Sequence, residues 1–276
     1  LCEVFLTNAD GELEYQGLYT MIEKPKVSKE RLDLTPYNPK YTETSFVVQM
    51  NKRIDDARID HLKPDDVDVY SANLEYPDVE KITDSSLQYI QKEILQFEKT
   101  LYDAEYSDNW EKVNQRTDLD SFVDYYIINE FFQNYDAGIR STYLYKNLGG
   151  KFSIGPVWDF DIAFGNVNYN DNDKPEGLWI AGASWYQRLL ADPYFLEKVK
   201  ARFMFYYEKK DELLKFIDDT ATYLKPYVDK NEERWHTMNQ LLWANCEVFE
   251  TYEEYVASLK NWLTVRLDWM KTNYGL

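Results

Sequence analysis

An α+β fold is what this 276-residue sequence predicts, with a β-rich N-terminal portion to about residue 83 and a mainly helical body over residues 84–276. Three observations carry that expectation. Apolar residues near the start alternate with period two. The period changes to 3.6 close to Asp84, and a short two-stranded pattern interrupts the helices between residues 142 and 157. No internal repeat or low-complexity linker divides the chain, so residues 1–276 read as one domain.

Cys2-Glu3-Val4-Phe5-Leu6 alternates, Asn8-Ala9-Asp10-Gly11 is a turn, and Tyr15 to Ile22 is a second β-rich run. A hairpin with such open edges is expected to join a sheet whose other strands precede Leu1. The opening Leu1 itself reads as the start of a trimmed or processed piece. From Lys24 to Asp84 the signal is weak. Pro25, Pro36, Pro39 and Pro64 interrupt it, leaving one short strand at Ser45 to Met50. Leu87, Ile90, Ile94, Phe97 and Leu101 then mark one face of a helix over 85–103, capped by Asp84 or Ser85. A second helix opens at Asp120-Ser121, with Asp124 placed for a capping box, and its pattern breaks after Gln133. Further helices are expected after the Asp192-Pro193 cap and over about 212–227, 232–243 and 252–274. Trp185, Trp235, Trp243, Trp262 and Trp269 read as packing residues of these helices.

Composition excludes several function classes. With 49 Asp+Glu against 31 Lys+Arg, the net charge of −18 disfavours nucleic acid as a partner. No apolar run is long enough to span a membrane. Cys2 and Cys246 form no CxxC, and His61 and His236 no HExxH, which leaves little for zinc or Ser-His-Asp chemistry. The two cysteines read either as one bridge or as two free thiols. Acidity suggests a secreted or cell-surface setting.

Chemistry concentrates between residues 134 and 161. Thr142 to Lys146 and Lys151 to Val157 read as a hairpin turning through Asn147 to Gly150. Such a ribbon brings Asp136, just before its first strand, close to Asp159, just after its second. Two carboxylates at one end of a ribbon can share a divalent cation or divide base and metal duties. Protein kinases order the same parts: a catalytic Asp, an Asn five residues on, a hairpin, then a metal-binding Asp. Ser141 stands in the Asn position here. Asp159-Phe160-Asp161 taken alone is more often a strand-ending turn, and it is the joining to Asp136 through a short hairpin, with Trp158 before it, that reverses that reading.

Asn134-x-Asp136, Ser141-Thr142-Tyr143-Leu144-Tyr145 and Gly155-Pro156-Val157-Trp158-Asp159-Phe160-Asp161-x-x-Phe164-Gly165-Asn166 together resemble the spore coat protein H (CotH) kinase family. Tyr15-Gln16-Gly17-Leu18-Tyr19 with Glu23, and Trp185 to Phe195, extend the likeness over most of the chain. The resemblance implies an atypical kinase-like fold that uses ATP with Mg or Mn and phosphorylates protein Ser/Thr. It implies Asp136 as the catalytic residue, Asp159 as a metal ligand, and Trp158 as a face for the adenine. Tyr19 and Glu23 would lie near the nucleotide, with Ser141 at a second metal position. Asp161 reads either as a further metal ligand or as a turn cap. No GxGxxG or Walker A pattern occurs, so a phosphate-contacting basic residue is expected on strands before Leu1, with Lys24, Lys26 and Lys29 as substitutes. A catalytically inert kinase-like module for binding or scaffolding is the alternative, and a metal-free glycosidase using the same carboxylates a distant third.

Overall fold

The computed structural model describes residues 1–52, 58–60, 70–102 and 106–276, so His61 and Pro64 lie outside it. The described residues form seven α-helices and two antiparallel sheets, an α+β arrangement. They divide into two compact units, one of residues 1–24, 164–176 and 205–276, the other of residues 25–163 and 177–204.

In the first unit, β1 (Cys2–Thr7) and β2 (Leu13–Tyr19) pair as a two-stranded sheet. The turn forms because Asn8 Oδ1 accepts the N–H groups of Asp10 and Glu12, at 3.0 and 2.9 Å. Rather than joining the larger sheet, this hairpin lies on α6 (Lys210–Trp235). Asn231 Oδ1 accepts the Leu18 N–H at 2.8 Å, and the Trp235 indole donates to Gln16 O at 2.7 Å. Strand β2 stops at Tyr19, short of the expected Ile22, and Met21 and Ile22 are exposed.

The separate helix expected over 232–243 does not form. Helix α6 runs through to Trp235 and closes at His236, whose φ of 49° is left-handed. The Glu232 carboxylate then accepts the N–H groups of Thr237 and Met238 and turns the chain away. Trp243 is consequently 81% exposed, and Trp235 is exposed as well, so neither is the helix-packing residue expected. Helix α7 (Tyr252–Asn273) starts on a capping box between Thr251 and Glu254 and buries Trp262. Both cysteines are free thiols.

The second unit holds the larger sheet: β3 (Phe46–Lys52), β4 (Arg58–Ile59), β5 (Tyr70–Tyr76), β6 (Thr142–Lys146) and β7 (Phe152–Ile154), in the order β4-β5-β3-β6-β7. Strand β3 falls where the alternation placed it, whereas β4 and β5 lie in the stretch read as irregular. Helix α1 (Asp84–Tyr102) occupies the expected span through Tyr102, residue 103 lying outside the described set. Its cap is Thr83, not Asp84 or Ser85, because the Thr83 hydroxyl accepts the Ser86 N–H. Helix α2 (Tyr106–Arg116) is additional. Helix α3 (Leu119–Phe131) begins one residue early, and no Ser121–Asp124 capping box forms. Ser121 donates to Asp118 O instead, and Asp124 pairs with Arg202. Helices α4 (Ser184–Leu189) and α5 (Pro193–Tyr207) follow. Asp192 Oδ1 caps α5 by accepting the N–H groups of Tyr194 and Phe195.

Pleating divides the sheet's side chains between two faces. Phe46 and Phe152 point toward the helices, where Phe97, Phe122 and Trp185 complete an aromatic core. Phe97 and Phe152 stack at 4.8 Å. Val47 and Tyr143 belong to a second cluster with Leu34, against which Val27, Leu32, Tyr76, Tyr145 and Trp158 pack. Phe152→Ala is expected to cost about 3–5 kcal/mol of stability, read by denaturant unfolding, because a fully buried ring leaves a cavity. Trp243→Ala, at an exposed position, is expected to leave the unfolding midpoint within experimental error of the parent.

Candidate functional site

Helix α3 ends at Phe131, and the chain re-enters the sheet only at Thr142. The loop between is closed by one buried hydroxyl. Thr142 Oγ1 donates to Arg140 O at 2.8 Å and accepts the Gly138 N–H at 2.8 Å. With its single proton so used, it accepts from Tyr125 OH at 2.9 Å. Burial pushes the Tyr125 phenol up to about 12, which keeps it a donor. Gly138 is required twice over: its φ is 81°, and a Cβ there would lie 2.8 Å from Ala183 Cβ.

Within the closed loop, Arg140 N donates to Asp136 O at 2.8 Å, forming a helical turn that sets the two side chains four residues apart on one face. Arg140 Nε lies 2.6 Å from Asp136 Oδ1, and the Asp136 side chain is only 15% exposed. Burial raises the Asp136 carboxyl above the ordinary range; Arg140 opposes that shift, and the charges of Asp159 and Asp161 add to it. Asp136 and Asp159 are therefore near enough to feel one another, as the hairpin requires.

Strand β7 ends at Ile154, short of the expected Val157, as Gly155 takes a φ of 123° and Pro156 offers no N–H to a ladder. The chain then presents Trp158, Asp159 and Asp161 beside the loop. Ser141 Oγ donates to Asp159 Oδ2 at 3.0 Å, and Asn134 Nδ2 donates to Asn129 Oδ1 at 3.1 Å and to Trp158 O at 3.4 Å. Ser141 and Asp159 both hold left-handed backbone, with φ of 50° and 64°. For residues other than glycine that costs about 1–3 kcal/mol each and is found where a side chain must be aimed. Partial desolvation and the neighbouring Asp161 raise the carboxyl of Asp159, itself an exposed residue, against the Ser141 hydrogen bond.

Five of the seven residues singled out from sequence thus assemble in the second unit: Asp136, Ser141, Trp158, Asp159 and Asp161. Tyr19 and Glu23 belong to the first unit, where Tyr19 ends β2. Lys26 and Lys29 are exposed on the second unit's bend before Leu34. Sequence reasoning passed over Arg140, although an Asp–Arg pair at i,i+4 is a readable signal. Asn134 was noted in the motif without a role, and its structural task of tying the loop to the Trp158 carbonyl has no sequence signature.

Among the described residues no group of three or more His, Cys, Asp or Glu comes together in a way that could hold a metal ion. The donor set of Asp159, Asp161 and Ser141 nevertheless fits a Mg²⁺ that arrives with phosphates. Such ions take one or two protein carboxylates, with phosphate and water oxygens filling the octahedron. Two mutually repelling carboxylates beside a hydroxyl give a cation a reason to bind.

Residues 2–270, nearly the whole chain, match the family model described as CotH kinase protein, so the chain belongs to that family. A search of the curated proteins finds no match. Among the described residues, no helix is long and apolar enough to cross a membrane.

The raised Asp159 carboxyl carries a sign. A raised acid contributes stability that is full below its unfolded value and is lost as pH rises through the folded value. In metal-free buffer, Asp159→Asn, which tolerates the same backbone, is therefore expected to melt above the parent at pH 7. The gap should shrink as pH falls and close below about pH 3, where the aspartate is protonated in both states. Calorimetric melting across that range checks it.

Proposed function

We propose that this member of the CotH kinase family is an ATP- and divalent-metal-dependent phosphotransferase acting on Ser/Thr of a protein substrate, with residues 1–276 working as one atypical kinase-like domain. The observation that carries the reading is the convergence of Asp136, Asp159, Asp161 and Ser141 at one end of the β6–β7 hairpin. Family membership supplies the reaction class.

Each residue has a task set by its surroundings. Asp136, half-buried with a raised carboxyl, receives the proton of the acceptor hydroxyl as that oxygen bonds to the terminal phosphorus of ATP. The bond from phosphorus to the bridging oxygen breaks and ADP leaves. Asp159 and Asp161, with Ser141, would hold Mg²⁺ or Mn²⁺, which when bound neutralises charge on the phosphates. Trp158, half-buried against Leu34, Val47 and Tyr143, offers its remaining surface to the adenine. Tyr19 and Glu23 are assigned by the family pattern to the nucleotide's neighbourhood. The net charge of −18 makes metal a condition of binding, since a nucleotide carrying about four negative charges is repelled without it. A secreted or cell-surface location goes with the same reading.

The test separates binding from transfer. Asp159→Ala is expected to abolish metal-dependent ATP binding in calorimetry. Asp136→Ala is expected to leave that binding within about threefold of the parent while transfer to a protein acceptor falls by at least ~10²-fold. Absence of both metal-dependent ATP binding and autophosphorylation in the unaltered protein would replace this reading with an inert scaffold.

A further inference from the structure

Resting on the kinase reading, we propose that Arg140 is the positioning residue for Asp136: its guanidinium occupies Oδ1 of the carboxylate and leaves Oδ2 as the oxygen that receives the acceptor proton. The 2.6 Å contact is an ion pair made through Nε, not an aligned hydrogen bond, and the two side chains are 27% and 15% exposed, so the pair is largely out of water. A carboxylate with two equivalent oxygens and a free χ1 is a poorly aimed base. Fixing one oxygen fixes the other.

Arg140 is itself held. Its guanidinium lies over the Tyr135 ring, 5.6 Å from the centroid. The Tyr135 ring stacks on Trp179 at 4.8 Å with 12° between planes, and the Trp179 indole N–H donates to Tyr135 O at 2.7 Å. Below them sits a buried carboxylate on α3. Glu130, with no exposed surface, accepts the N–H groups of Trp179 at 2.9 Å and Ala181 at 3.0 Å. The segment so anchored ends at Ala183, the residue whose Cβ leaves no room for a side chain at Gly138. The order of support is Glu130, then Trp179, Tyr135, Arg140 and finally Asp136. An ion pair serving only to stabilise a loop needs no such shelf.

A structural role and a positioning role make different demands on substitution. Arg140→Gln is expected to lower kcat about 10²-fold while metal-dependent ATP affinity stays within about twofold. Arg140→Lys, which keeps the charge but not the fork, should recover part of the loss, and free guanidinium added to Arg140→Gln should restore activity in proportion to its concentration. Trp179→Leu should lower kcat in the same direction through the shelf. Independently of any activity, a crystal structure of Arg140→Gln should show the Asp136 carboxylate displaced or in more than one rotamer. An unmoved Asp136 carboxylate, or a kcat within about twofold of the parent, overturns the proposal. Parallel loss of ATP affinity and kcat overturns it too, in favour of a direct phosphate contact. If the unaltered protein transfers no phosphate, the kinase reading fails, and the Asp136 rotamer still decides whether Arg140 orients it.

Discussion

The Thr142 hydroxyl is the constraint on which the rest of the site depends. It is the first residue of β6 and fully buried, and its oxygen closes a loop from three directions: Tyr125 of α3, Gly138 in the loop and Arg140 at its end. Each of these neutral hydrogen bonds contributes about 1 kcal/mol net, but a donor stranded in the interior costs about 1–3 kcal/mol, so the arrangement is all or nothing. Because the hydroxyl belongs to a strand, the loop inherits the rigidity of the sheet. The distance from α3 to β6 is then fixed, and with it the helical turn that sets Asp136 and Arg140 on one face.

Charge explains why such rigidity is needed. Asp159 and Asp161 raise the proton affinity of Asp136, Asp161 raises that of Asp159, and Arg140 opposes the shift at Asp136. A flexible loop would separate the carboxylates, since repulsion between them is relieved by a small displacement. Left-handed backbone at Ser141 and Asp159 resists that displacement from both strands of the hairpin. The Asn134 bridge to the Trp158 carbonyl resists it from the helix side. The unit is thus held in a state that a divalent cation would stabilise further, and the fixed geometry places the cost in folding rather than in the reaction.

How much of this was legible in the sequence follows from the range of the interaction concerned. Helix α1 was read almost to its ends because one apolar face repeats along it, whereas its cap moved to Thr83 because several hydroxyls and carboxylates nearby compete for one N–H. Strand β5, Tyr70 to Tyr76, alternates strictly between apolar and polar residues, a period-two signal present in the sequence but outweighed by the prolines and charges of the stretch around it. The apolar pattern predicts two helices, over about 212–227 and 232–243, where α6 is one, because the stop at His236 is made by the Glu232 carboxylate folding back, an event with no periodic signature. The carboxylates of the site were legible because a short hairpin converts sequence spacing into proximity. Tyr19 and Glu23 were assigned by likeness alone, with no local element linking them to that hairpin.

The two faces of the sheet show how one strand pair serves both stability and chemistry. Lys146 and Phe152, paired across β6 and β7, lie at the turn end of the hairpin, where Phe152 joins the aromatic core and Lys146 lies 3.6 Å from Glu93 of α1. Ser141 and Asp159 lie at the other end, beyond the last ladder bonds. Stability is therefore invested in one end of the ribbon and strained, charged residues in the other, with only Thr142 and Gly155 at the junction. Gly155 donates its N–H to Tyr143 O at 2.9 Å, the last backbone contact before the chain departs toward Trp158. Because the anchored end does not share residues with the charged end, substitutions among Asp136, Ser141, Asp159 and Asp161 alter the site without loosening the core. That separation is what allows the roles of these residues to be read by mutation.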